Sequence, residues 1–319
     1  MWWRRWRPAL GGYQGMIMSR EQRATIHQLL RDAPFDLGGQ FAIQRPRLEQ
    51  LLTAHPLPHD VRTSTGELGG VRVVFAELTG VNASGVLFHL HGGGFALGSA
   101  TGSIALASSL ARLTGLSIVA VDYRLAPENP YPAAVDDTVN AYRALLEREG
   151  DSANIVVSGE SAGGNLALEL LLAVRQEGLT PPVAAVLFSP MTDLTVSGQS
   201  YHTKAAADPN ITAAAIRTRV TDYLRGTGID PADPRVSPVF AELTGLPPLL
   251  VQAGSSEVLL DDATRLAARA AADDVPVILD VVPDVPHVFQ AFADALDEGA
   301  AALDRAGRFI RSHLTTATD

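Results

Sequence analysis

The sequence predicts an α/β protein built on a mostly parallel sheet with helices on both faces. Three observations predict it. From about Val71 onward, short β-branched runs alternate with longer helical stretches. Most of the runs are apolar throughout, as strands buried on both faces should be. The chain is 319 residues long, 46% hydrophobic and 19% charged, with 28 glycines and 20 prolines scattered along it, so it can bury a large core and shows no linker between halves.

Strands are expected over residues 71–75, 85–90, 117–122, 155–158, 184–188, 249–253 and 277–282, from their Val, Ile, Leu and Ala content. Helices are expected over 102–113, 133–148, 163–176, 261–272 and 297–313, each long enough to cross back over a sheet. Two segments fall outside this alternation: the first 60 or so residues, helical around 19–31 and 47–54, and a helix near 212–225. We expect residues 1–60 to form an N-terminal extension and helical cap segment. Residues 61–319 then form the main α/β domain, with a cap insertion near 195–230. Function in such folds gathers at the carboxyl ends of the strands and often needs a cover against water.

The formal charge of −10 would repel a phosphate backbone and argues against a nucleic-acid partner. The absence of cysteine excludes disulfides, thiolate metal sites and a cysteine nucleophile, and suits a cytoplasmic location. No stretch approaches the roughly 20 apolar residues that span a bilayer, so a soluble protein is expected. The opening "MWWRRWRP" has tryptophans and arginines of the kind that touch anionic membrane surfaces. We read it rather as an overextended start or a frayed terminus, with Met16 and Met18 just downstream.

After the run "NIVVS" comes "GESAGG", a Gly-x-Ser-x-Gly pattern placed directly before a leucine-rich helix. The spacing alone is weak, but its context is that of a sharp strand-to-helix turn. Small neighbors let such a turn close and leave the Ser161 hydroxyl exposed as a nucleophile. The following helix turns its unpaired N–H groups toward developing negative charge, and Ala162 N–H is one natural donor. A simple helix cap is the bland alternative for Ser161.

The run "HGGGF" follows the strand at 85–90. Acyl transfer through a tetrahedral intermediate needs N–H donors about 3 Å from the forming oxyanion, and glycines let the backbone approach. Gly92 and Gly93 are the expected oxyanion-hole donors, joined by Ala162. No Lys or Ser/Thr follows at phosphate-loop spacing. His89 and His91 are read as buried, loop-fixing histidines. Past the last strand, "VVPDVPHVFQAF" puts His287 in a loop at the edge where a base is needed. His27, His55, His59, His202 and His313 lie in cap, linker or terminal segments, where surface roles are the default.

Together these segments resemble the α/β-hydrolase esterases related to hormone-sensitive lipase, often called bacterial family IV. "HGGGF" at 91–95, "DYRLAPENPYPAA" at 122–134, "GESAGG" at 159–164 and "PHVFQAF" at 286–292 occur in the family's order. The resemblance covers roughly residues 71–313. It implies an α/β-hydrolase fold with a helical cap, Ser161 as nucleophile, His287 as base and the glycine run as oxyanion hole. It also implies that Asp122, Tyr123, Arg124, Glu128 and Asp193 tie loops together near the site. Family members often dimerize.

In this fold the triad acid follows the penultimate strand. "VQAGSSEVLLDD" offers Glu257, Asp261 and Asp262 there. Many relatives have Asp-Pro-Leu, and matching the leucine puts Glu257 in the acid's place. Glu257 also lies three residues past the glycine, in a loop still over the sheet edge. Asp261 and then Asp262 are the alternatives; both start a helix, where acids stabilize the dipole, and Asp261 can pair with Arg265 at i+4.

The expected function is a serine carboxylesterase on short to medium acyl esters, with no metal or organic cofactor. A small-lactone hydrolase using the same residues is the close alternative. A non-catalytic small-molecule binding protein is the reading from another class.

Overall fold

A computed structural model of the chain describes residues 10–150 and 154–315, with backbone alone for residues 10–18. The segment "MWWRRWRP" lies outside the described residues. In chain order the elements are α1 (Leu10–Asp32), α2 (Phe41–Leu52), β1 (Val61–Leu68), β2 (Val71–Leu78), β3 (Val86–Leu90), α3 (Ala100–Thr114), β4 (Ser117–Val121), α4 (Ala133–Glu149), β5 (Ile155–Glu160), α5 (Ala162–Glu177), β6 (Ala184–Phe188), α6 (Ser200–Thr203), α7 (Ala213–Tyr223), β7 (Leu249–Gly254), α8 (Leu260–Ala272), β8 (Val277–Val282) and α9 (Asp297–His313). Short 3-10 turns occur at Pro238–Phe240 and Phe289–Phe292.

The eight strands form one sheet in the order β1-β2-β4-β3-β5-β6-β7-β8. β2 runs antiparallel to β1 and β4, and every other neighboring pair is parallel. All seven expected strands are present. β1 is the addition, and it was hidden because "VRTSTGEL" is a polar edge strand, exposed along most of its length, with no apolar run to mark it. Its signal lies in the turn. Leu68 pairs with Val71 across Gly69 and Gly70, whose φ of +58° and +77° are those of a two-residue hairpin loop.

Helices cover both faces. α3 and α9 pack Ile104, Leu110 and Ile310 against Leu87 and Val186 on one side. α4, α5 and α8 pack Leu145, Leu166 and Leu266 against Phe88, Val157 and Leu187 on the other. Strands β3, β6 and β7 are buried at every residue, which accounts for sequences that are apolar apart from His89 and Gln252. Each fully buried Leu, Ile or Phe contributes about 1.5–3 kcal/mol relative to exposure. Local chemistry sets the helix ends: Ser99 Oγ accepts Gly102 N–H at 3.0 Å to start α3, and Gly115 closes it at φ +74°.

The segments outside the alternation lie over loops at the carboxyl ends of the strands. On α2, the Arg45 guanidinium donates to Ala96 O (2.8 Å) and Ala126 O (2.9 Å) and forks onto Glu128 at 2.7 Å twice, joining the loops after β3 and β4. On α7, Arg219 packs its stem over Gly94. Ser200 of α6 donates to Val258 O at 2.6 Å, beyond β7. α1 reaches the start of α9 through Ser19 and Arg23, both bonded to Glu298. α1 and α2 both begin earlier than expected; α2 runs through Pro46 instead of starting after it.

The closest crossing in the fold is where α5 meets the end of β3. A Cβ added to Gly163 would lie 2.0 Å from Leu90 O and 2.5 Å from His91 O, both backbone atoms. Gly163→Ala is therefore expected to destabilize the chain by about 3 kcal/mol or more, measured by urea denaturation, with loss of any activity that depends on this turn.

Candidate active site

β5 ends at Glu160 and α5 starts at Ala162, so Ser161 alone makes the turn. Its φ of +56° and ψ of −118° lie where a residue with a Cβ costs about 1–3 kcal/mol. The surroundings enforce that conformation. Ser161 N–H donates to Phe188 O at 3.0 Å, and Ser161 O accepts from Gly164 and Met191 N–H, both at 3.0 Å. Gly159 is needed because a Cβ there would lie 2.3 Å from Gly163 O. These crossings, not the spacing, explain the Gly-x-Ser-x-Gly pattern. Ser161 is no helix cap, since its side chain accepts no bond from α5.

The glycine loop lies against it. A Cβ on Gly92 would come within 3.2 Å of the Ser161 Cβ. Gly93 and Gly94 take φ of +110° and +62°, which favors glycine. The structure corrects one expectation: Gly92 N–H is not free for an oxyanion, because it donates to Glu160 Oε1 at 2.8 Å. Among the described residues, the N–H groups of Gly93, Gly94 and Ala162 donate to no protein acceptor. His91 fixes this loop. Its ring stacks on Tyr123 with centroids 4.1 Å apart, its Nδ1 is 2.8 Å from Gly92 O, and Tyr123 Oη donates to His91 O at 2.7 Å. Burial pushes the His91 imidazole below its ordinary range, which keeps it neutral and suited to support rather than proton transfer. His89 is buried behind, with Nδ1 2.8 Å from Ser158 Oγ and Nε2 3.0 Å from Glu160 Oε2, the latter a contact without hydrogen-bond alignment.

β7 and β8 are neighbors in register, with Gly254 opposite Val282. The loops that leave them therefore meet. His287 Nδ1 is 2.5 Å from Glu257 Oε2, and Glu257 Oε1 accepts Gly254 N–H at 2.9 Å. Glu257 is fully buried, whereas His287 keeps 10% of its side chain exposed. With Nδ1–H engaged by the carboxylate, Nε2 is the nitrogen left for proton transfer. The His287 loop is tied back toward Ser161: Val288 N–H donates to Ser189 Oγ at 3.0 Å, one residue past the Phe188 carbonyl that holds Ser161. Among the described residues, no cluster of three or more His, Cys, Asp or Glu side chains has metal-binding geometry.

Comparison with known proteins meets the same arrangement. Residues 87–291 match a protein family described by its α/β-hydrolase fold. The chain belongs to the α/β-hydrolase family. An acetyl-hydrolase of Streptomyces hygroscopicus is 42% identical over 226 residues, 71% of this chain and 75% of that protein. An esterase of Acinetobacter venetianus is 38% identical over 268 residues, covering 84% and 88%. Among solved structures, an esterase of the bacterial hormone-sensitive lipase family superposes with a TM-score of 0.88 at 38% identity, over 92% of this chain and 99% of that one. Within the α/β-hydrolases, the chain therefore groups with the bacterial hormone-sensitive lipase-like esterases.

In this α/β-hydrolase the other two carboxylates of the "EVLLDD" stretch do not reach His287 by any hydrogen bond. Asp261 Oδ2 accepts Ser200 N–H at 2.9 Å. The expected Asp261–Arg265 pair is replaced, because Arg265 turns to Asp193 at 2.6 Å. Asp193 is fully buried; Ser197, Thr195 and Arg265 outweigh that burial and hold its carboxyl below the usual range. Asp262 is not a surface acid of the first helical turn. It is fully buried and accepts Thr192 N–H at 2.8 Å and Asp193 N–H at 3.0 Å. Of the middle motif, Arg124 forks onto Asp137 and Asp122 pairs with Arg72, so these residues brace loops as expected. Sequence reasoning missed Glu160, although it lies inside the serine motif, and Arg45, which carries no sequence signal.

Burial pushes the Asp262 carboxyl up to about 8. An unfolded aspartate releases its proton near 3.8, so between there and about 8 the folded chain holds the extra proton and stability falls as pH rises. Asp262→Asn keeps an oxygen for both N–H groups and removes the titration. In urea denaturation the wild type is expected to lose on the order of a few kcal/mol more than this variant between about pH 5 and pH 8.

Proposed function

We propose that this α/β-hydrolase is a serine carboxylesterase that hydrolyzes short to medium acyl esters. The observation that carries the reading is the buried Glu257 carboxylate bonded to His287 Nδ1 at 2.5 Å, taken together with a serine held on a strained turn. His287 Nε2 takes the proton from Ser161 Oγ as that oxygen attacks the ester carbonyl. The imidazolium that forms is stabilized by Glu257, and it then protonates the leaving alcohol. Water then attacks the acyl carbon as His287 takes its proton, and His287 returns that proton to Ser161 Oγ as the C–Oγ bond breaks and the acid leaves.

The oxyanion of each tetrahedral intermediate is assigned to the N–H groups of Gly93, Gly94 and Ala162. Their lack of protein acceptors supports this, and the Gly92 bond to Glu160 removes the remaining glycine while fixing the loop. Ala162 N–H also stands at the start of α5, where the helix dipole favors negative charge. Residues 1–60 and 195–230 we assign to a cover over the site, supported by the contacts of Arg45, Ser200 and Arg219 with the strand-end loops. Water exclusion there strengthens each of these electrostatic terms.

The acetyl-hydrolase and esterase names of the relatives agree with an ester substrate of small acyl group. A small lactone fits the same residues, since opening a cyclic ester uses identical steps. The test is hydrolysis of p-nitrophenyl esters across chain lengths, followed by a lactone panel. Ser161→Ala is expected to lower kcat at least about 10⁴-fold, and Glu257→Gln about 10³-fold or more. Full activity in Ser161→Ala would sink the mechanism. Turnover of lactones with little of esters would move the substrate class.

A further inference from the structure

Glu257 lies on the turn 255–258 between β7 and α8, and that turn is held from two sides. From the sheet, Val282 O accepts Ser255 N–H at 2.8 Å and Val285 O accepts Ser256 N–H at 3.1 Å. From the segment before α7, Asp208 Oδ2 accepts Val258 N–H at 2.9 Å. Asp208 is only 8% exposed, and its other oxygen accepts Asn210 N–H at 3.1 Å and Ile211 N–H at 2.9 Å. Three backbone donors fix this carboxylate in place, and no cationic side chain is bonded to it among the described residues.

We propose that Asp208 is a positioning residue for the reaction: it clamps the turn that carries Glu257 and sets a second carboxylate behind the His287–Glu257 pair. The proposal rests on the serine-hydrolase reading above. Its electrostatic part has independent support, since burial raises the Asp208 carboxyl while its backbone donors and then His287 act in the opposite sense. Among the described residues, Glu257, from the turn after β7, is bonded to His287, and Asp208, from residues 204–212, feels its charge. Glu160, from the end of β5, faces His89 and Gly92 instead. Tyr201 of α6 feels the charge of Glu257, and burial keeps its hydroxyl protonated. A second carboxylate near the pair stabilizes the imidazolium that forms during turnover, so its removal slows the reaction.

Asp208→Asn tests this. The amide oxygen retains Asn210 and Ile211, but its NH₂ then meets Val258 N–H donor to donor and the charge is gone. Wild type, Asp208→Asn, Glu257→Gln and the double variant are compared by kcat and KM on a p-nitrophenyl ester, with circular dichroism for folding and fluorophosphonate labeling for Ser161. Asp208→Asn is expected to lower kcat about tenfold with KM held within about twofold. In the Glu257→Gln background the same change should cost less than about twofold, because both act through one histidine. An unchanged kcat in Asp208→Asn, or the same tenfold loss in both backgrounds, overturns the proposal. If Asp208→Asn does not fold, Asp208→Ser, which keeps a hydroxyl acceptor, carries the same expectations. Failure of the wild type to label, with activity surviving in Ser161→Ala, overturns the triad reading itself. A labeled wild type with kcat unchanged in Asp208→Asn overturns the role of Asp208 alone.

Discussion

At the end of β3 the backbone carbonyls of Leu90 and His91 press against Gly163, so closely that no side chain fits between them. The start of α5 is thereby drawn down onto the sheet. Ser161, two residues earlier, has no room to continue the strand and must turn in the left-handed region. The same contact brings the chain leaving β3 alongside the serine, which is why Gly92 lies against the Ser161 Cβ. The turn at Ser161 and the glycine loop beside it are thus consequences of one packing distance between a helix and a sheet. The parallel order of β5, β6, β7 and β8 then delivers Glu257 and His287 to the same edge.

The irregular chain at that edge has many N–H groups and little ladder to receive them. Buried carboxylates take that role. Glu160 receives Gly92, Glu257 receives Gly254, Asp208 receives Val258, and Asp262 receives Thr192 and Asp193. Each oxygen so used fixes a loop that no secondary structure holds, at the cost of burying an ionizable group. The costs differ with the partners. Asp193, with two hydroxyls and an arginine, is held as an anion, whereas at Asp262 burial outweighs the backbone donors and Tyr201, and the carboxyl keeps its proton well above the usual range. Only the Glu257 carboxylate is also bonded to a histidine.

Much of the fold was legible because both-face burial writes itself as unbroken Val, Ile, Leu and Ala. β6 fell at the expected residues for that reason, whereas β8, an edge strand with Ile278, Leu279 and Val281 exposed, was legible from its apolar content alone. β1 did not, since an exposed edge strand needs no apolar face and "VRTSTGEL" has almost none. At the site, the spacing from Gly254 singled out Glu257, a local relation. Three glycines in a row gave no means to tell that Gly92 is engaged by Glu160, 68 residues away. Nor does anything near Asp208 announce a bond to a residue 50 positions later. The lost Asp261–Arg265 pair has the same origin: helical spacing permits it, but the anion buried at Asp193 is the stronger attraction for Arg265. Local pattern is readable along the chain, and long-range polar pairing is not.

The positive φ of Ser161 carries a consequence for how such a chain can change over generations. Glycine adopts that conformation without penalty, so under the role proposed for Ser161 the most stable chain and the working chain have different residues at this position. Random drift toward stability would remove the hydroxyl and leave the fold improved. Selection for turnover must keep returning serine against that gradient. A hydrolase scaffold freed from that selection is thus already inclined, by a single residue, toward becoming a silent and sturdier relative of itself.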